Sequence, residues 1–169
     1  MKTIYRITPS GDAPELIIEQ GISNNLDGKP IADRWPNEPF KGEVAKICDW
    51  RQFYRVGKNG FALSEAVWEE CEDMYYTITE NYIELLSVMA GGFDLRVIYA
   101  LDVLKASNVP TELCDLTYAS SLFRIEGQPM EQVFCLEGMT QGNEFKQFYD
   151  LYGFKGLKFE EVWSEPTKH

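Results

Sequence analysis

Residues 94–104, Asp-Leu-Arg-Val-Ile-Tyr-Ala-Leu-Asp-Val-Leu, carry an apolar side chain at every second position, and Gly91-Gly92 stands just ahead of them. Side chains of a strand alternate between the two sides of a sheet, so Leu95, Val97, Tyr99, Leu101 and Val103 share one face. Arg96 and Asp102 lie on the other with Ile98 and Ala100. Two consecutive glycines reach positive φ without steric cost, which suits a tight turn. With the strand-like stretch Tyr82 to Ala90 before them they predict a β-hairpin, in a sheet with one well-buried face.

Two helices are expected beside it. The first runs from Ser64 to about Tyr76: the Ser64 hydroxyl can accept from an otherwise unpaired amide of the first turn, and Leu63 and Trp68 have the spacing of a hydrophobic staple. Val67, Trp68, Cys71, Met74 and Tyr75 then fall on one side at a 3.6-residue period. In the second, Phe145, Phe148, Tyr149 and Tyr152 recur at i, i+3, i+4 and i+7, with polar Asn143 at the start and Gly153 where a left-handed residue closes a helix. Further strands are predicted at residues 3–7, at Ser121–Glu126 and Glu131–Leu136 around Gly127-Gln-Pro129, and at Gly156–Trp163 with Leu157, Phe159 and Trp163 on one face. A short element of undecided type occupies Glu15–Gln20. Residues 21–60, punctuated by Pro30, Pro36 and Pro39, read as connecting structure laid over the core and anchored by Trp35, Phe40, Trp50 and Phe53, with one short element between Val44 and Tyr54. The implied fold class is α+β: a mostly antiparallel sheet with the two main helices packed on one face.

At 169 residues one domain is the default. Residues 1–60 form its loop-rich N-terminal part, 61–163 the core and 164–169 a tail. No stretch approaches about 18 uncharged apolar residues, so no helical membrane span is expected. Sixteen Lys and Arg against 27 Asp and Glu leave a net charge of −11. Such a surface repels phosphate backbones and anionic lipid heads, which argues against nucleic-acid and membrane partners and favours basic ones. Cys48, Cys71, Cys114 and Cys135 form no C-x-x-C pair, against zinc ribbons and thioredoxin-like chemistry. No apolar run follows Met1-Lys-Thr-Ile-Tyr-Arg6, so no secretory signal is read and a cytoplasmic protein with reduced thiols is expected.

Histidine is informative by its scarcity: the single one is His169. Triads with an imidazole base and histidine-ligated metal sites are therefore disfavoured. Residues 23–30 resemble a phosphate-binding loop faintly, but the first glycine is missing and Pro30 replaces the magnesium-binding hydroxyl. The same stretch fails as a calcium loop, because Arg34 stands where a bidentate glutamate belongs. Glu160 and Glu161, adjacent in a strand, point to opposite faces and cannot form a joint acid/base pair. No catalytic residue, cofactor or metal ligand is assigned. The aromatic load from Phe145 to Trp163 has the spacing of core packing. The feature that stands out is an acidic stripe on the first helix: Glu65, Glu69, Glu72 and Asp73 lie together opposite Trp68, Cys71 and Tyr75, with no Lys or Arg between them. Like charges at i,i+4 cost about 0.2–0.5 kcal/mol per pair, a cost that a basic partner would relieve. These four are the candidate partner-binding residues.

The second half resembles a family of bacterial domains of about this size, the immunity proteins of polymorphic toxin systems. The resemblance is carried by Tyr99-Ala-Leu-Asp-Val103, Leu122-Phe-Arg-Ile125 with Gly127, Val133-Phe134, Phe145, and the ending Gly153-Phe154, Gly156-Leu157, Phe159-Glu-Glu161-Val-Trp163. Upstream, Gly60-Phe-Ala-Leu63-Ser64 leading into a helix is also similar, so the likeness covers about residues 60–163. It implies a small acidic cytoplasmic protein, not an enzyme, that binds and blocks a cognate toxin domain with a basic surface. An enzyme using carboxylate or Ser–Lys chemistry and a self-associating structural protein are the alternatives, and the sequence leaves the oligomeric state open.

Overall fold

The glycine pair makes the expected turn. Strands β6 (Ile83–Ala90) and β7 (Phe93–Ala100) pair antiparallel from Ile83↔Ala100 to Ala90↔Phe93, with Gly91 and Gly92 at φ 58° and 84°. Both central residues at positive φ match the right-handed twist of the flanking strands. The computed structural model describes residues 1–19, 40–45, 52–70, 83–100, 103–105, 122–129, 131–138 and 145–167. Ahead of the hairpin come β1 (Thr3–Pro9), β2 (Glu15–Ile18), β3 (Phe40–Ala45), β4 (Phe53–Val56), β5 (Gly60–Leu63) and a helix, α1, over residues 65–70. After it come β8 (Val103–Leu104), β9 (Leu122–Ile125), β10 (Val133–Glu137), helix α2 (Phe145–Leu151) and β11 (Leu157–Ser164).

This is a mostly β molecule with a closed six-stranded barrel and a second sheet, which corrects the α+β expectation of one sheet with two helices on one face. The barrel runs β2-β3-β6-β7-β5-β4. Its closure depends on strands from residues 40–63, most of which read as connecting structure in the sequence. Two of the pairings are parallel, β3 with β6 and β2 with β4, and join segments far apart in the chain. Neither the proline-rich composition around them nor their brevity announces such strands. Leu16, Tyr54, Ala62, Leu86, Val88, Ala90, Leu95, Val97 and Tyr99 fill the interior as one buried cluster. These inward side chains fill the middle of the barrel. Gly42 sits where β3 passes between β2 and β6: a Cβ there would stand 2.8 Å from the Ile17 carbonyl oxygen and 3.0 Å from a Val88 methyl carbon.

The second sheet has the order β11-β1-β10-β9-β8, antiparallel except for the β8–β9 edge pair. The chain crosses between the two sheets early and again midway: β1 leads out to β2 of the barrel, and β7 of the barrel is followed two residues on by β8 of the second sheet. That second crossing divides the alternating run of the sequence. Val97 and Tyr99 face the barrel interior, whereas Val103 lies in the other sheet and is exposed.

Each face of the second sheet carries a buried cluster. One meets the barrel's outer wall: Ile7, Leu122, Val133, Cys135 and Leu157 pack with Phe53, Phe61, Leu63 and Ile98, and with Phe145, Phe148 and Tyr149 of α2. The other carries Ile4, Leu104, Phe123, Phe134 and Leu136, with Ile125 and Trp163 against them. Trp163 is therefore on the face opposite Leu157 and Phe159. Its register partner is Ile4, whereas Glu161 is opposite Tyr5, so a bulge near Val162 breaks the alternation that put the three aromatic and aliphatic residues together.

The end of α2 follows its sequence signature closely. Gly153 has φ 64°, its amide donates to the Asp150 carbonyl, and the Phe154 amide donates to that of Tyr149. These two bonds make a Schellman motif, and the accompanying apolar contact is the Phe154 ring against Tyr149 and Phe148.

Candidate functional site

β5 is buried along its whole length and feeds directly into α1. Ser64 Oγ accepts from the Val67 amide at 3.4 Å, and its carbonyl accepts from the Trp68 amide at 2.9 Å, so the first turn is capped. Leu63 and Val67 are buried in the central core and Trp68 packs against it. This staple fixes the rotation of the helix about its axis. Glu65, Glu69 and Glu70 are consequently turned to solvent. Ion pairs occur elsewhere, between Arg6 and Glu160 and between Arg96 and Asp94, for example, but none reaches these three carboxylates among the described residues. Glu72 and Asp73, the other two members of the expected stripe, lie outside the described residues. Glu70 was not in that stripe. It is exposed because the buried arc of α1 is narrow, and the signal for this was Ala66 one turn before it, too small to anchor that side.

A second cluster of charge lies where α2 crosses the second sheet. Lys146 Nζ is 2.8 Å from Asp150 and 3.4 Å from Glu137, and it stands over the rings of Tyr5 at 5.2 Å and Phe159 at 5.7 Å. Burial alone would lower the ammonium's pKa, but the two carboxylates outweigh it and the net shift is upward. Burial, and then the Glu137 charge, raises that of the Tyr5 hydroxyl. Both shifts move away from neutrality, so neither group is tuned for proton transfer near pH 7. Glu160 and Glu161 stand opposite Arg6 and Tyr5 respectively, on the two faces of β11, and do not converge. Among the described residues no three His, Cys, Asp or Glu side chains gather as a metal would need.

The third feature is a half-open cavity of about 410 Å³ in the barrel wall. β3 pairs with β6 only as far as Gly42↔Ala90, where β6 gives way to the glycine turn, yet β3 continues to Ala45 along β2. The ladder ends early, and a notch opens between the end of β3 and the turn. Val44, Tyr54, Ala90 and Phe93 line it, together with Pro14 and Glu43.

Among the described residues no helix is long and apolar enough to cross a membrane. A scan against protein-family models finds no match for this chain, and a search of curated proteins finds none either.

Proposed function

We propose that the chain is a non-catalytic immunity-type protein that binds and neutralises a cognate bacterial toxin domain in the cytoplasm, docking the carboxylate face of α1 on a basic surface of that toxin. The observation that carries the reading is the set of exposed carboxylates Glu65, Glu69 and Glu70 on a helix whose rotation is locked by the central core. A face held rigidly before binding loses little conformational entropy on association. Carboxylates with no ion-pair partner among the described residues keep their field for an incoming cation, and a net charge of −11 steers a basic domain toward it. The resemblance of residues 60–163 to immunity proteins supplies the class of partner.

Co-expression with the toxin domain encoded beside this chain tests the proposal. A complex that co-purifies, together with protection of the host cells, is the expected result. Unprotected cells and two proteins that elute separately would overturn it.

A further inference from the structure

We propose that the Tyr149 hydroxyl closes the free edge of β11 against a second copy of this chain, whose own β11 is the strand that edge fits. The inference is independent of the toxin-binding reading, which concerns α1. β11 and β8 are the two edges of the second sheet. β8 has two residues, whereas β11 has eight and offers a row of backbone groups on which another strand can pair. The direction of those groups follows from the bonding on the inner side. The Ser10 amide donates to the Gly156 carbonyl at 2.8 Å, so Gly156 faces β1, and by the alternation of an antiparallel ladder Lys158 and Glu160 do too. The amides and carbonyls of Leu157, Phe159 and Glu161 therefore point away from the sheet, as far as the bulge near Val162.

At Leu157 this outer edge is already taken. The Leu157 amide donates to Tyr149 Oη at 3.1 Å, and the same hydroxyl donates to the Leu157 carbonyl at 3.4 Å. One side chain of α2 thus makes both bonds that a neighbouring strand would make. The rings of Phe53, Phe154 and Phe159, with centroids 5.5, 6.3 and 4.9 Å from that of Tyr149, hold it in place. Further along, among the described residues no strand pairs with the outer side of Phe159 or Glu161.

The open stretch is complementary to itself. Two copies of β11 laid antiparallel about a two-fold axis through Phe159 join their Phe159 backbones and set each Lys158 opposite the other copy's Glu160. Both charged residues are exposed and lie on one face of the strand, so two ion pairs would form across the join. The next bonded pair on either side needs the Glu161 backbone of one copy where the Tyr149 hydroxyl of the other stands. Tyr149 thereby limits the ladder to one bonded pair, too little to hold together two chains of net charge −11. Moving the axis to Glu161 clears the hydroxyl but sets two carboxylates against each other.

Sedimentation and amide hydrogen exchange test the proposal. Wild type is expected to be monomeric, with the Leu157 amide protected and the Phe159 amide exchanging fast. Tyr149→Phe keeps the ring and should speed exchange at Leu157 by about tenfold or more. Tyr149→Leu, which leaves an apolar side chain too short to reach the edge, should dimerise, with Phe159 gaining protection as concentration rises. Tyr149→Met reads the same outcome if the leucine variant does not fold. Adding Lys158→Glu should weaken that dimer about tenfold, and Lys158→Glu with Glu160→Lys should restore it. A wild-type dimer that protects Phe159 overturns the proposal. So does a folded leucine or methionine variant that stays monomeric, or a dimer indifferent to the charges at 158 and 160.

Discussion

Phe53 offers the sharpest probe of how the barrel and the second sheet are joined. It projects outward from β4, is fully buried, and its ring centroid lies 5.5 Å from Tyr149, 5.8 Å from Phe154, 6.1 Å from Phe61 and 6.4 Å from Phe145. Three of those four rings belong to α2 or the loop behind it, so truncation opens a hole between two elements that cannot collapse without moving each other. Phe→Ala in a core costs about 3–5 kcal/mol, and each lost aromatic pair adds roughly 0.5–1.5 kcal/mol that is not additive with its neighbours. We therefore expect Phe53→Ala to lose about 4–5 kcal/mol, a large share of the ~5–15 kcal/mol by which domains are stable. Phe53→Leu, which keeps most of the volume and gives up the ring contacts, should lose only about 1–2 kcal/mol. Urea unfolding followed by circular dichroism and tryptophan fluorescence reads both. With a slope near 2 kcal/mol/M, the alanine variant's midpoint should fall by about 2 M. A loss under 1 kcal/mol for Phe53→Ala, or equal losses for the two variants, would refute a shared aromatic core between barrel and helix.

Two further outcomes follow from the same geometry. Gly42→Ala forces a Cβ to within 2.8 Å of the Ile17 carbonyl and should cost about 1–3 kcal/mol, seen as a Tm lowered by several degrees. An unchanged Tm would show that β2, β3 and β6 are not so closely packed. Burial raises the Tyr99 hydroxyl's pKa, with Glu131 adding to it. A group whose pKa is higher folded than unfolded gives stability that is complete below the unfolded value, near 10, and is lost as pH rises beyond it. Chemical denaturation between pH 9 and 12 should therefore show wild type weakening more steeply than Tyr99→Phe, and parallel profiles would contradict the burial of that hydroxyl.

What the sequence made legible is what short-range physics decides. The Gly91-Gly92 hairpin, the Ser64 cap with its Leu63–Trp68 staple, and the Gly153 closure of α2 each depend on residues within about one turn of one another. Barrel closure does not. It rests on Phe40↔Val88 and Glu15↔Arg55, contacts between strands of four to eight residues that no local pattern specifies. Alternation also weakens as a guide where both sides of a strand are buried. In β7, Val97 faces the barrel interior and Ile98 the central core, and each is 1% exposed, so polarity no longer marks the faces. Trp163 shows a further limit, because one bulge moved it to the other side of the sheet. On α1, the exposure of Glu65 and Glu69 was legible from helical period alone. Glu70 required knowing how little of α1 the core covers, and the notch beside Glu43 required the β3–β6 register.

The most direct test of the binding account is the association rate between this chain and the toxin domain proposed as its partner, measured for wild type and for Glu65→Lys/Glu69→Lys at low and moderate salt. Exposed charges that steer an encounter act on the association rate and are screened by ions. The account predicts a rate reduced about tenfold or more in the double variant at low salt, with the salt dependence flattened and the helix signal in circular dichroism unchanged. A double variant that associates as fast as wild type, with the same salt dependence, would contradict it.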